Sequence, residues 1–249
     1  MKYAIMSDIH GNLEAFKAAV ADARKRGCGM MVCLGDLTGY GDRSRECVDF
    51  AMKTMDVCLM GNHDIVCCGK EEPLEFASNR NFDVDIEAGR RLGAEAKAWL
   101  SSRPYVWGRS EFACAHSEFS SPSDWFYILQ PKDAWQSLWT RSEQILFVGH
   151  THIPRLMKIP ADRVSQSQSF DEKEAMAGMM GLKEIKSKSC KIVPGARYVV
   201  NVGSVGLPRK GSRASYCVYD SRNHELRLVY LKYTQNDEAR VFRLSKLKP

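Results

Sequence analysis

The chain has 249 residues, 44 % of them apolar, so a sizeable core can form in one large domain or two small ones. Its 36 Lys and Arg against 30 Asp and Glu leave a net charge of +6. Spread along the chain, the basic residues read as solvated faces rather than a nucleic-acid surface, and their sign also suits an anionic small substrate. No stretch approaches a membrane span, and the apolar residues before Asp8 are too few for an export signal. The nine cysteines, odd in number and without zinc-finger spacing, fit a reducing cytoplasm.

Residues 2–6 form an apolar run that ends in Asp8-Ile9-His10-Gly11-Asn12. A buried strand would have this shape, its end aiming a carboxylate and an imidazole at one ion. From residue 12 to about 26, Leu13, Phe16, Ala19, Val20 and Ala23 recur on one face of a helix, and Gly27 stops it. Residues 30–34 are a second apolar run, ending in Gly35-Asp36 and followed by the glycine-rich stretch 37–42. Residues 43–53 again read as a helix, and 57–60 as a third short strand ending in Gly61-Asn62-His63-Asp64. Strand, helix, strand, helix, strand predicts a parallel sheet with crossover helices, whose ligands sit outside the carboxyl ends of the strands.

Residues 86–101 read as one helix through Leu92, Ala96, Trp99 and Leu100. Residues 111–115 are a strand ending in His116-Ser117. Trp125, Phe126 and Tyr127 follow in a loop, either lining a pocket or capping the core. Residues 131–140 start like a helix with Pro131 in its first turn. Residues 145–148 are a strand ending in Gly149-His150-Thr151-His152, and Pro154 keeps a helix from running through that site. Residues 161–192, including the methionines near 176–180, show no clean period and read as a surface excursion or short lid. Residues 198–202 form a strand leading into 203–209, and 215–220 with 225–233 read as a hairpin across a turn at 221–224. The second half thus reads as a consecutive antiparallel sheet. With no internal repeat and no linker composition, residues 1–249 are expected as a single domain of two packed sheets with helices outside.

Five of the six histidines, His10, His63, His116, His150 and His152, follow strand-like runs, with Asp8, Asp36 and Asn62 beside them. His224 falls in a turn and reads as surface. Imidazole with carboxylate suits manganese, iron, zinc, nickel or cobalt rather than a thiolate site. The donors outnumber what one tetrahedral ion takes and suit two ions sharing a carboxylate. Two close metals lower the pKa of a bridging water and clamp the oxygens of an in-line displacement at phosphorus. The leaving oxygen then needs a proton donor, a role suited to histidine. The adjacent Cys67 and Cys68 read as packing residues, since no activating neighbour is evident.

Asp8-x-His10, Gly35-Asp36, Gly61-Asn62-His63-Asp64, His116 and Gly149-His150-Thr151-His152 closely resemble, in order and approximate spacing, the five motif blocks of the calcineurin-like metallophosphoesterases. Residues 201–209 resemble the Asn-x-Gly-Ser segment of that family's smaller bacterial and archaeal branch. The resemblance implies an α/β (α+β layered) fold, a central β-sandwich of two mixed sheets flanked by helices. It implies that Asp8, His10 and His152 hold one divalent ion, that Asn62, His116 and His150 hold a second, and that Asp36 bridges them. His63 would protonate the leaving oxygen and is not counted as a ligand, and Asn12 would brace the loops. Two divalent metal ions are expected, manganese first, with iron, zinc, nickel or cobalt as alternatives.

The implied activity is metal-dependent hydrolysis of a small phosphate ester, as a phosphodiesterase or phosphatase, with nucleotides among the candidates. No membrane or stable nucleic-acid partner is expected, and a homo-oligomer is compatible. A protein-interaction scaffold with a vestigial metal site is the alternative, against which the retained His63 speaks. One departure is informative. The phosphoprotein phosphatase branch carries an Asp three residues after the bridging Asp, where this chain has Gly39. Its Asp–His dyad is therefore missing, unless Asp42 or Asp64 substitutes, which argues against that branch. Gly39-Tyr40-Gly41 is instead similar to the diadenosine-tetraphosphatase-like branch. Tyr40, Trp125, Phe126 and Tyr127 are candidates for stacking on a base, and Arg43 and Arg209 for phosphate oxygens.

Overall fold

Along β1 (Lys2–Met6) the side chains alternate between two buried environments. Tyr3 and Ile5 enter a core with Phe112, Phe147, Tyr198 and Tyr219, while Ala4 and Met6 join a second core with Phe16, Ala19 and Val20. A strand buried on both faces is what a helix-covered sheet demands. The structure, a computed structural model, describes residues 1–70, 83–167, 173, 178, 180–209 and 213–231.

β1 leads into α1 (Leu13–Lys25), capped by the Asn12 side chain, which accepts from Ala15 N at 3.1 Å. Then come β2 (Met30–Cys33), α2 (Ser44–Thr54), β3 (Val57–Cys58) and α3 (Asn62–Cys67). The expected parallel arrangement holds: β1 pairs with β2, and β2 with β3, in parallel. The third strand, expected over 57–60, covers only Val57–Cys58, and α3 begins within what reads in sequence as a strand-end loop. The Asp64 carboxylate accepts from Gly61 N at 3.3 Å and closes that helix's first turn.

The single helix expected over 86–101 is two, α4 (Asp83–Arg91) and α5 (Ala94–Ser101). Gly93, extended at φ −72° and ψ 162°, sits between them as the N-cap of α5, and glycine is a poor helix interior residue. β4 (Val106–Arg109) and β5 (Phe112–Ala115) form a hairpin, of which only the second strand is evident in the sequence. A 3₁₀ turn (Pro131–Ala134) precedes α6 (Trp135–Thr140), and β6 (Ile145–Val148) and β7 (Arg155–Ile159) follow. Of the stretch 161–192, the described parts form α7 (Ala161–Ser167) and two short strands, β8 (Lys183–Glu184) and β9 (Ser189–Lys191). Most of its methionine-rich part lies outside the described residues. β10 (Arg197–Asn201), β11 (Ser215–Asp220) and β12 (Glu225–Tyr230) are the last of the described elements; residues 232 and 233 of the expected last strand also lie outside the described residues.

Among the described residues two mixed six-stranded sheets result, ordered β3-β2-β1-β11-β12-β9 and β4-β5-β6-β10-β7-β8. This corrects the expectation of a consecutive antiparallel second half. β10 runs parallel to β6, and the β11–β12 hairpin leaves that sheet to pair antiparallel with β1. Tyr3 opposite Tyr219 in that register places both rings in the aromatic cluster between the sheets. Helices α1 and α2 cover the first sheet through the core of Phe16 and Val48, and α6 covers the second through Leu138. Among the described residues no helix is long and apolar enough to cross a membrane.

Candidate metal centre

The parallel strands β1, β2, β5 and β6 deliver their polar ends to one place. The loops after β1 and β2 interlock: Ile9 N and His10 N donate to Asp36 O at 2.8 and 2.9 Å, and Gly41 N donates to His10 O at 3.0 Å. From the other sheet, His150 N donates to Asp8 Oδ2 at 3.1 Å. The 201–209 loop ties the two sheets together here. Asn201 Nδ2 donates to Gly149 O at 2.7 Å, Ser204 Oγ donates to Asp8 O at 2.7 Å, and Asn12 Nδ2 donates to Gly206 O at 3.0 Å.

Asp8, His10, Asp36, His150 and His152 all have positive φ, between 48° and 64°. Each left-handed residue costs on the order of 1–2 kcal/mol, which Asp tolerates better than most types. Such strain gathers at functional sites, where the surroundings hold it in place.

Three donor groups fall within 4.8 Å of one another: Asp8 with His10 and His152, His10 with Asp36 and His63, and Asp36 with His116 and His150. All of these side chains are buried. His10 is shared by the first two groups and Asp36 by the last two. One Asp36 carboxylate oxygen accepts from His63 N at 2.9 Å, and the other lies 3.6 Å from His10 Nε2 and 3.3 Å from His116 Nε2. Asn62, at the start of α3, is buried, and among the described residues neither its amide nor either ring nitrogen of His116 has a hydrogen-bond partner.

Tautomers fix the chemistry of the first group. His10 Nδ1 lies 3.0 Å from Thr38 O and His152 Nδ1 2.6 Å from Leu207 O. A carbonyl only accepts, so each Nδ1 carries a proton, and Nε2 is the atom that would present a lone pair to a cation. Those two Nε2 atoms are 3.1 Å apart, and His152 Nε2 is also 3.2 Å from Asp8 Oδ1. Lone pairs and a carboxylate converging in a dry site fit a divalent cation between them.

The electrostatics have the same cause. Burial raises the Asp36 carboxyl, but His116 and the other imidazoles outweigh it and hold it well below the usual range. Burial likewise opposes ionisation of Asp8, and His152 overrides it downward. Burial pushes His10 down to about 3. His116 goes the other way, up to about 9, because Asp36 more than offsets burial. Burial and the neighbouring Asp36 push Asp64 up to about 6; it accepts from Thr38 N at 3.0 Å and Thr38 Oγ1 at 2.8 Å.

The remaining candidates divide. Tyr40 sets its ring 4.9 Å from His10 and 4.8 Å from His63, and Tyr127 stacks on His150 at 4.0 Å and 15°. Trp125 is buried with Met60, Ile65 and Val66, whereas Phe126 is exposed. Arg43 pairs with Glu14 and Glu46 on the surface, and Arg209 is exposed beyond the bracing loop. His224 is exposed in the β11–β12 turn. All nine cysteines are free thiols, and burial raises both Cys67 and Cys68, the opposite of activation.

Neither Asp42 nor Asp64 stands in for the carboxylate missing at position 39. Asp64 is held by Thr38 and Gly61, and Asp42 is exposed. The residue against His63 is Asp85 of α4, with Oδ1 and Oδ2 at 2.8 and 2.9 Å from Nδ1. Sequence reading misses Asp85, which follows no strand. The one available signal is Gly39 itself, an absent carboxylate that something else must supply.

Known proteins share the family and the fold. The profile of the calcineurin-like phosphoesterase superfamily domain matches residues 1–224. The protein MJ0912 of Methanocaldococcus jannaschii is 28 % identical over 235 residues, 92 % of this chain and 87 % of that protein. The crystal structure of a metallophosphoesterase from Sphaerobacter thermophilus superposes with a TM-score of 0.74 at 28 % identity, covering 94 % of this chain and 90 % of that one. The protein PH1004 of Pyrococcus horikoshii OT3 shares the fold with a TM-score of 0.66 at 14 % identity, covering 94 % and 89 % of the two chains.

Proposed function

The chain belongs to the calcineurin-like phosphoesterase superfamily, and on that premise we propose that it is a dinuclear metal-dependent hydrolase of small phosphate esters. Asp8, His10 and His152 would hold one ion, Asn62, His116 and His150 the other, and Asp36 would contribute to both. The observation that carries this reading is the 3.1 Å approach of the His10 and His152 lone-pair nitrogens beside Asp8. Asp36 supports it by lying between His10 and His116.

Two divalent ions, when bound, supply an activated water and positive charge for the phosphoryl oxygens. The chain's own part is to hold the ligand atoms rigidly and to deliver a proton. His63 stands beside the first group, its ring 4.9 Å from that of His10, and gives its proton to the leaving oxygen. Tyr40 and Tyr127 flank the site and offer aromatic faces to an ester carrying a base, so nucleotides are the first substrates to try. Both monoesters and diesters fit this chemistry, and manganese is the first ion to supply.

The test is His63→Ala in the manganese-loaded protein. Phosphate-ester turnover should fall at least 100-fold, the scale of a lost general acid, with metal content per chain unchanged. Undiminished turnover on an ester with a poor leaving group would remove His63 from the chemistry.

A further inference from the structure

We propose that Asp85 is the positioning residue for His63: it holds the Nδ1 proton and so turns Nε2 toward the substrate oxygen. The role rests on the phosphoesterase reading above; the geometry does not. The Asp85 carboxylate meets His63 Nδ1 with both oxygens, at 2.8 and 2.9 Å, and the pair is buried, Asp85 at 2 % and His63 at 8 % exposure. A carboxylate oriented on one imidazole nitrogen fixes the ring's tautomer and its direction, so that the other nitrogen faces the leaving oxygen.

The surrounding chain is built for this contact. Asp85 arrives from α4, 22 residues after His63. One turn later, Gly89 brings the two backbones together, since a Cβ there would lie 2.6 Å from Cys67 O on α3. The Cys67 thiol in turn donates to the Asp85 carbonyl at 3.2 Å. On the opposite side Gly39, at φ +84°, leaves the space the pair fills: a Cβ there would stand 2.7 Å from both His63 Nδ1 and Asp85 Oδ1. A side chain at position 39 and a carboxylate at position 85 exclude each other. The glycine in the loop after β2 and the acid on α4 are two halves of one arrangement.

The experiment compares Asp85→Asn, nearly isosteric, with His63→Ala and the parent, all loaded with manganese. Elemental analysis should give the same metal content for all three. With a phosphate ester of a poor leaving group, Asp85→Asn should lower kcat about 100-fold, with KM within about threefold. With a dinitrophenyl ester, whose leaving oxygen needs no proton, the loss should shrink to a few-fold. A long-range ¹H–¹⁵N spectrum of the metal-free parent should show the His63 proton on Nδ1, and Asp85→Asn should shift population to Nε2–H. This spectrum needs no turnover, and its parent half needs no variant to fold. A His63 Nδ1 without a proton in the parent overturns the proposal. So does parent-like kcat on the poor-leaving-group ester in Asp85→Asn while His63→Ala is inactive. If His63→Ala itself turns over normally, it is the donor reading that fails.

Discussion

His10 and His152 direct their Nε2 atoms at each other across 3.1 Å, the atoms that carry the lone pairs when each ring is neutral. Thr38 O and Leu207 O hold the protons on the far side of each ring. With both rings neutral, two ring nitrogens and the Asp8 carboxylate converge on one point, an arrangement that a divalent cation would complete.

A stability difference follows. His152→Ala removes a buried ring and its hydrogen bond to Leu207 O, so the informative quantity is the gain on adding the ion, not the melting point in chelator. With manganese at about 100 times its dissociation constant, the parent should gain about 2.7 kcal/mol, and His152→Ala should gain clearly less. Calorimetric melting of both proteins, with and without the ion, measures this.

Metal uptake should strengthen as pH rises. Next to Asp36, the His116 pKa in the metal-free protein is raised to about 9, so the proton is bound below that pH and an incoming ion must displace it. Affinity should increase from pH 6 toward pH 9 and level off above it. Titration calorimetry in two buffers of different ionisation enthalpy should show net proton release at pH 7.

Tyr127 covers one face of His150, stacked at 4.0 Å. Removing it exposes that ring to water and frees its orientation. Tyr127→Ala should weaken manganese binding about tenfold, at the low end for losing a group that supports a metal ligand. Competition with a fluorescent chelator provides the readout.

Phe112 sits at the centre of the inter-sheet core, against Tyr3, Phe147 and Tyr219. Phe112→Ala should destabilise the fold by about 3–5 kcal/mol. Metal content of the folded fraction should not change, since the substitution lies between the sheets and not among the ligand loops. Urea unfolding gives the first quantity and elemental analysis the second.

The parts legible in the sequence are those with local cause. Asp8, His10, Asp36, Asn62 and His63 follow closely on buried runs in the first half, and the ends of 112–115 and 145–148 repeat the pattern at His116 and at His150 with His152. Burial of both faces makes those runs continuous and apolar, so their polar ends stand out. Sheet membership is not local. β11 pairs with β1, Lys2 opposite Asp220, and nothing near either residue announces the other. The helix break at Gly93 hides inside a good apolar period. Asp85 depends on how closely α4 approaches α3, which Gly89 sets by packing rather than by pattern.

The most direct test of the central claim is hydrolysis of two chromogenic substrates, a phosphomonoester and a phosphodiester, by chelator-stripped protein as manganese is added back. Turnover of at least one should appear with the ion and saturate at two ions per chain. No release from either substrate with manganese, iron, zinc, nickel or cobalt would contradict it.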